Sequence, residues 1–141
     1  MISSDLIEAR FRDLDRYMAQ LRYLASEDAR AFCEDPIKVG AAKYYLQVAI
    51  ESCLDVAHHL IAREGWRAPT SYADTFTVLA EQHVIPQSFL PTAQKMARMR
   101  NRLVHLYWEV DEEALFQILH QHLDDFEHFK GFVYQYLRKH T

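Results

Sequence analysis

Lys95-Met96-Ala97-Arg98-Met99-Arg100-Asn101-Arg102-Leu103-Val104-His105-Leu106-Tyr107 brings four cations and a histidine together with no carboxylate among them. Long amphipathic segments lie on both sides, so the rest of the chain reads as a helical bundle that holds this stretch in a fixed groove. Phe89, Leu90, Ala93, Met96, Ala97, Leu103 and Val104 supply the apolar positions of the helix that carries it, after punctuation at Pro86 and Ser88.

Composition agrees with helices. Half of the 141 residues are apolar, and with 3 glycines and 4 prolines the chain has few places to turn, which predicts long helices and an all-α fold. That length suits a single domain over residues 1–141 with a core of its own. Cys33 and Cys53 make no disulfide framework, and no signal-like start precedes the first amphipathic segment. No apolar run approaches the roughly 20 residues that span a bilayer. These features predict a soluble, cytoplasmic protein that does not enter a membrane. The formal net charge of −4 counts against general nucleic-acid affinity, which depends on neutralising phosphates. Any RNA contact must be local, and Lys95 to His105 is the place for it.

Outward from that stretch the helices declare themselves. Ser3 or Ser4 can cap a first helix, with Asp5 and Glu8 complementing its dipole, and Ile7, Phe11, Leu14, Met18, Leu21 and Ala25 form its buried stripe. Arg10, Arg12, Arg16 and Arg22 lie off the stripe and read as a solvated face. Asp35-Pro36 starts a second helix by a cap followed by a proline that loses no helical bond. Its stripe runs through Val39, Ala42, Leu46, Ala49, Cys53, Ala57 and Leu60, and Gly65 terminates it. Ser71-Tyr72-Ala73-Asp74 predicts a capping box opening a short third helix to about Gln82. The fourth helix carries the cationic stretch. Asp111-Glu112-Glu113 opens a last, continuous helix with a stripe of Leu115, Ile118, His122, Phe126, Phe129, Val133 and Tyr136. Four long helices plus a short one predict an up-down bundle.

The chemistry of the stretch suits RNA. When the 2′-hydroxyl of RNA attacks its neighbouring phosphate, the step needs a base, an acid for the leaving oxygen, and positive charge for the phosphorane. His105 can act as acid or base near neutrality, and Arg100 offers a permanently charged fork to phosphate oxygens. Asn101 shares a helical face with His105 and can orient it. Arg98 and Arg102 can hold backbone phosphates or simply face solvent. Asp55 lies about one turn past Glu51, and either can line the cleft beside them, with a place on the solvated surface as the alternative for Asp55. Arg100 and His105 are roughly 140° apart on an ideal helix, so Arg100 must wrap around or the helix must loosen near Leu106. Nothing in this scheme demands a metal or another cofactor. A rival constellation pairs Asp55 with His58 or His59, and Asp125 with His128, as helical metal ligands. It wants inward glutamates from two more helices, which the apolar stripes do not supply.

The string Arg100, Asn101, His105 and Tyr107, spaced R-N-x-x-x-H-x-Y, resembles the signature of the HEPN superfamily of small helical ribonucleases. The tyrosine two residues past the histidine is similar to the HepT-like toxin branch. Tyr45 to Glu51, Asp55 to His59, Pro69 to Phe76 and Val84-Ile85 before Pro86 are similar to it as well, in the same order. The resemblance implies a metal-independent endoribonuclease toxin that leaves a 2′,3′-cyclic phosphate. It further implies a two-fold dimer that brings two copies of Arg100 and His105 to one cleft. That matters because one histidine cannot easily be base and acid in the same step. The partner it implies is a minimal nucleotidyltransferase antitoxin that adds AMP to Tyr107, with a larger hetero-oligomer as the assembly. A catalytically silent module that only binds that partner is the alternative within the resemblance, and a metal-binding bundle the one outside it.

Overall fold

The computed structural model describes residues 4–140. The cap expected from Ser3 or the Ser4 side chain lies outside what is described of the chain. Among the described residues there are seven α-helices and no strand. They are α1 (Ser4–Ala25), α2 (Ala29–Cys33), α3 (Pro36–Glu64), α4 (Tyr72–Glu81), α5 (Leu90–His105), α6 (Glu112–Gln121) and α7 (Asp124–Lys139). The expected all-α bundle is therefore the observed architecture.

Helix α3 is the axis of the molecule. Val39, Leu46, Ala49, Ile50, Leu54 and Val56 are all buried and together cover an arc of roughly 160° at 100° per residue, a broad apolar face that packs against several helices. It packs against α1, α4 and α5 and touches α2, α6 and α7. Its ends have local causes. The Asp35 carboxylate accepts from the Ile37 and Lys38 amides at 2.9 and 3.3 Å, and Gly65 closes the other end at φ 69°, a left-handed position that glycine occupies without a Cβ penalty.

Three expectations are corrected. Ser71 caps α4 by accepting from the Asp74 amide at 3.0 Å, but the Asp74 carboxylate does not return the bond. It accepts instead from the Thr70 amide at 2.9 Å and from Arg67 at 2.8 Å, and Arg67 holds its carboxyl well below the usual range. The last helix is not continuous. His122 leaves helical geometry at φ −125°, faces solvent, and places Nδ1 3.2 Å from the Asp125 carboxylate. Asp124, Asp125 and Glu127 then favour a fresh helix start through its dipole. Leu119 and Leu123 take the buried positions instead, so that α6 packs on α1 and α2 while α7 packs on α3. Finally, Val104, expected on the buried stripe, is exposed. The short α2 was not foreseen; Asp28 caps it and Phe32 anchors it in the core.

A histidine joins the axis to α4. His58 Nε2 lies 3.1 Å from Thr75 Oγ1, and that hydroxyl gives its own proton to the Ser71 carbonyl at 3.1 Å. His58 Nε2 is therefore the donor. Burial lowers the His58 pKa and outweighs the nearby Asp55 charge. A depressed histidine pKa means that the unfolded chain takes up the proton first, so stability present above the unfolded value is lost as pH falls through the folded one. Urea unfolding of wild type should show stability falling as pH drops from about 7 to about 5, the window that starts near the unfolded histidine value and continues below it. In His58→Gln the slope over that window should be shallower, and an unchanged slope would place the pH sensitivity elsewhere.

Candidate active site

The cationic stretch occupies the C-terminal half of α5 and the turn beyond it. Arg100 points inward. Its side chain is only 16 % exposed, and Nε donates to the Glu51 carboxylate on α3 at 3.0 Å. Its guanidinium carbon lies 4.7 Å from the centroid of the Tyr72 ring at the start of α4, a cation–π contact. Nη1 donates to Asn101 Oδ1 at 3.3 Å. Three neighbours thus fix a flat, permanently charged fork. Gln47 on α3 donates in turn to the same Glu51 oxygen at 3.4 Å.

His105 is the last residue of α5 and is exposed. No hydrogen bond or ion pair engages its ring among the described residues. Asn101 bonds Arg100 rather than His105, so its orienting effect falls on the guanidinium. Arg100 is held toward Glu51, Tyr72 and Asn101 and makes no contact with His105 among the described residues, while the helix gives out immediately after His105, with Leu106 at φ −133° and ψ 43°.

A 3-10 turn, Tyr107–Glu109, follows. Two cations hold it. Arg102 Nη2 donates to the Glu109 carbonyl at 3.4 Å. Lys43 on α3 donates from Nζ to the Tyr107 carbonyl at 3.0 Å and sits 4.2 Å from the centroid of the Tyr107 ring. Lys43 is 6 % exposed and pairs with no carboxylate among the described residues. Tyr107 itself is 45 % exposed, its hydroxyl close enough to Gly40 that a Cβ there would touch it at 3.6 Å. Arg98 is exposed and without a protein partner among the described residues.

Asp55 lies apart from this group. It pairs with Arg10 of α1 at 3.5 Å, its side chain 58 % exposed. Burial pushes its carboxyl up, opposed by Arg10. Of the two carboxylates on that side of α3, Glu51 is the one that touches Arg100. The rival metal sets do not assemble either. His58 is bonded to Thr75 and Asp125 to His122. No three His, Cys, Asp or Glu side chains gather around one point among the described residues.

Lys43 and Tyr72 escaped the sequence reading. Lys43 could have been found, since it falls between Val39 and Leu46 at the spacing of the buried stripe, where a lysine needs a reason. Tyr72 carries no local signal, because its contact with Arg100 spans two helices.

The chain matches the family described as Ribonuclease HepT-like over residues 14–131, and it belongs to that family. It is 29% identical over 126 residues to the mRNA nuclease HepT of Shewanella oneidensis, an alignment covering 89% of this chain and 94% of that protein. Its structure superposes with a TM-score of 0.85 on the tri-AMPylated HEPN toxin of Shewanella oneidensis solved in complex with its MNT antitoxin. The two are 27% identical, with 93% of this chain and 98% of that one covered. A toxin–antitoxin structure with AMP-PNP gives a TM-score of 0.86 at 27% identity, with the same coverage of both chains.

The Lys43 contacts predict how firmly the turn is held. Lys43→Met keeps the buried stem and removes the ammonium, and a bond from a charged donor is worth roughly 1.5–3 kcal/mol. The Glu109 and Val110 amides, which bond Leu106 and Tyr107 carbonyls within the turn at 2.8 and 3.3 Å, should exchange at least about tenfold faster in the variant. Unchanged exchange would mean that the turn holds itself.

Proposed function

We propose that this chain is a metal-independent endoribonuclease toxin controlled by a nucleotidyltransferase antitoxin, working in the cytoplasm. The observation that carries the reading is the end of α5, where Glu51 and Tyr72 fix the Arg100 guanidinium while His105 stands exposed at the last helical residue. The family membership and the nuclease and toxin relatives support it. No helix among the described residues is long and apolar enough to cross a membrane.

In the proposed step the 2′-oxygen of a ribose bonds to the adjacent phosphorus and gives up its proton to a base. The bond from phosphorus to the 5′-oxygen breaks, and that oxygen takes a proton from an acid. The products are a 2′,3′-cyclic phosphate and a 5′-hydroxyl end. Arg100 supplies charge to the phosphorane and His105 moves a proton, with Asn101 holding the Arg100 fork. Arg98 and Arg102 supply charge for flanking phosphates. Each chain brings one histidine to a step with two proton transfers, so the working unit is a two-fold dimer. Val104, Leu106 and Trp108 support this. They alternate with His105 and Tyr107 along the chain and are exposed, Trp108 by 75 %, and exposed apolar side chains grouped in this way favour an isologous contact.

Control falls on Tyr107. Its phenolic oxygen would attack the α-phosphorus of ATP held by the antitoxin and release pyrophosphate, leaving AMP on the ring. The added phosphate would compete with RNA for Arg100 and obstruct the cleft. The half-exposed ring, held by Lys43, supports such access.

Purified protein should cut total cellular RNA equally well in EDTA, and His105→Ala should lower the rate at least about a hundredfold. Cutting that requires a divalent ion would overturn the mechanism. No cutting by unmodified wild type would leave an interaction module that only binds the antitoxin. Co-expression with the cognate nucleotidyltransferase should add AMP masses to the peptide containing Tyr107 and none to Tyr107→Phe. AMP found on another residue would remove Tyr107 as the control point.

A further inference from the structure

A groove of about 650 Å³ runs between α5 on one side and α6 and the start of α7 on the other, within the size range of small-molecule sites. Its floor is apolar, made by Leu46, Ile50, Met96, Met99, Ile118 and Phe126. One wall carries Lys95, Arg98 and Arg102 from α5, and none of the three forms an ion pair among the described residues. The opposite wall offers Gln121, His122 and Asp125, where the His122 Nδ1 contact engages the Asp125 carboxylate at 3.2 Å.

We propose that this groove takes one unpaired nucleobase of single-stranded RNA, with the phosphates on either side of it held by Lys95, Arg98 and Arg102. The inference rests on the ribonuclease reading and gives its substrate a form, a single strand and not a duplex. A base offers a flat apolar face to Met96, Met99 and Phe126, and a polar edge to Gln121 and His122. Proteins that bind single strands combine such a surface with a cationic track. In a duplex the base is stacked and cannot enter. The cations also set direction. Arg98, Arg102 and His105 follow one another along α5, about 10 Å from first to last at 1.5 Å per residue, so a strand seated in the groove is led to the exposed histidine.

Charge decides against a second copy of the chain as the occupant. In an isologous contact through this groove residue i meets residue j, so Lys95, Arg98 and Arg102 would meet either their own mates or a wall whose one carboxylate, Asp125, already lies 3.2 Å from His122 Nδ1, and like charges facing each other oppose association. An RNA strand brings the opposite charge.

The test uses the full chain with His105→Ala, so that the probe survives. A labelled single-stranded oligonucleotide and a duplex of the same sequence are titrated at one fixed salt concentration, because such affinities depend on salt. Ile118→Glu places a carboxylate on the floor. Gln121→Glu does so at the exposed rim, where folding is not at risk. Ile118→Glu should weaken single-strand binding at least about tenfold, the scale of one lost stacking contact, and Gln121→Glu should weaken it severalfold by setting a carboxylate beside the flanking phosphates. Duplex binding should be weaker at the outset and change little. Single-strand binding unaltered by Gln121→Glu would overturn the proposal. So would a change in sedimentation with either variant, which would assign the groove to a second copy, and so would saturation by AMP that the oligonucleotide cannot displace. Failure of the ribonuclease reading is seen separately, as absence of cutting by the chain with His105 intact.

Discussion

The ion pair between Arg100 and Glu51 is the interaction on which the candidate site depends. Arg100 is mostly withdrawn from water, and a cation so placed is tolerated only with a partner and further bonds. Glu51 supplies the first, Asn101 and the Tyr72 ring the rest. Because Glu51 belongs to the central helix, the guanidinium is referenced to the most constrained element of the fold. A charge-assisted bond of this kind contributes on the order of 1.5–3 kcal/mol, enough to hold one orientation of an otherwise flexible side chain. That is what electrostatic stabilisation of a transient phosphorane requires, since a charge already in place need not reorganise.

Helix α5 ends immediately after His105, with Arg100 turned inward and His105 exposed on a different face of the same helix. Termination at Leu106 exposes His105, and the turn after it carries Tyr107 back against α3, where Lys43 holds both its carbonyl and its ring. The same few residues thus set the histidine outward and the tyrosine beside it. Three cations of α5, Lys95, Arg98 and Arg102, form no ion pair among the described residues. Many of the others are spent, as Arg67 is on Asp74 and Glu81.

Much of the fold was legible because its signals are local. Asp35-Pro36 and Gly65 bound α3 at the residues where caps and stops were expected, and Ser71 caps α4. The misses are non-local. The break at His122 contains no glycine or proline, and it follows from α6 and α7 packing on different neighbours, which no helical period encodes. Glu51 and Asp55, one turn apart on the same side of α3, could each line the cleft by sequence; it is Glu51 that meets Arg100, while the placement of α1 brings Arg10 to Asp55. Asn101 shares a face with His105, as its spacing requires, yet bonds its immediate neighbour because that neighbour's fork is turned inward.

The most direct measurement of the central claim is the Arg100 Nε–H resonance in a nitrogen-15 spectrum of the unmodified protein. A guanidinium held by Glu51 and stacked on Tyr72 should give a slowly exchanging signal, distinct from the surface arginines, that is lost in Glu51→Gln and moves when a non-cleavable RNA is added. An Arg100 signal that exchanges as fast as those of Arg12 and Arg98, and is indifferent to Glu51→Gln, would contradict the account.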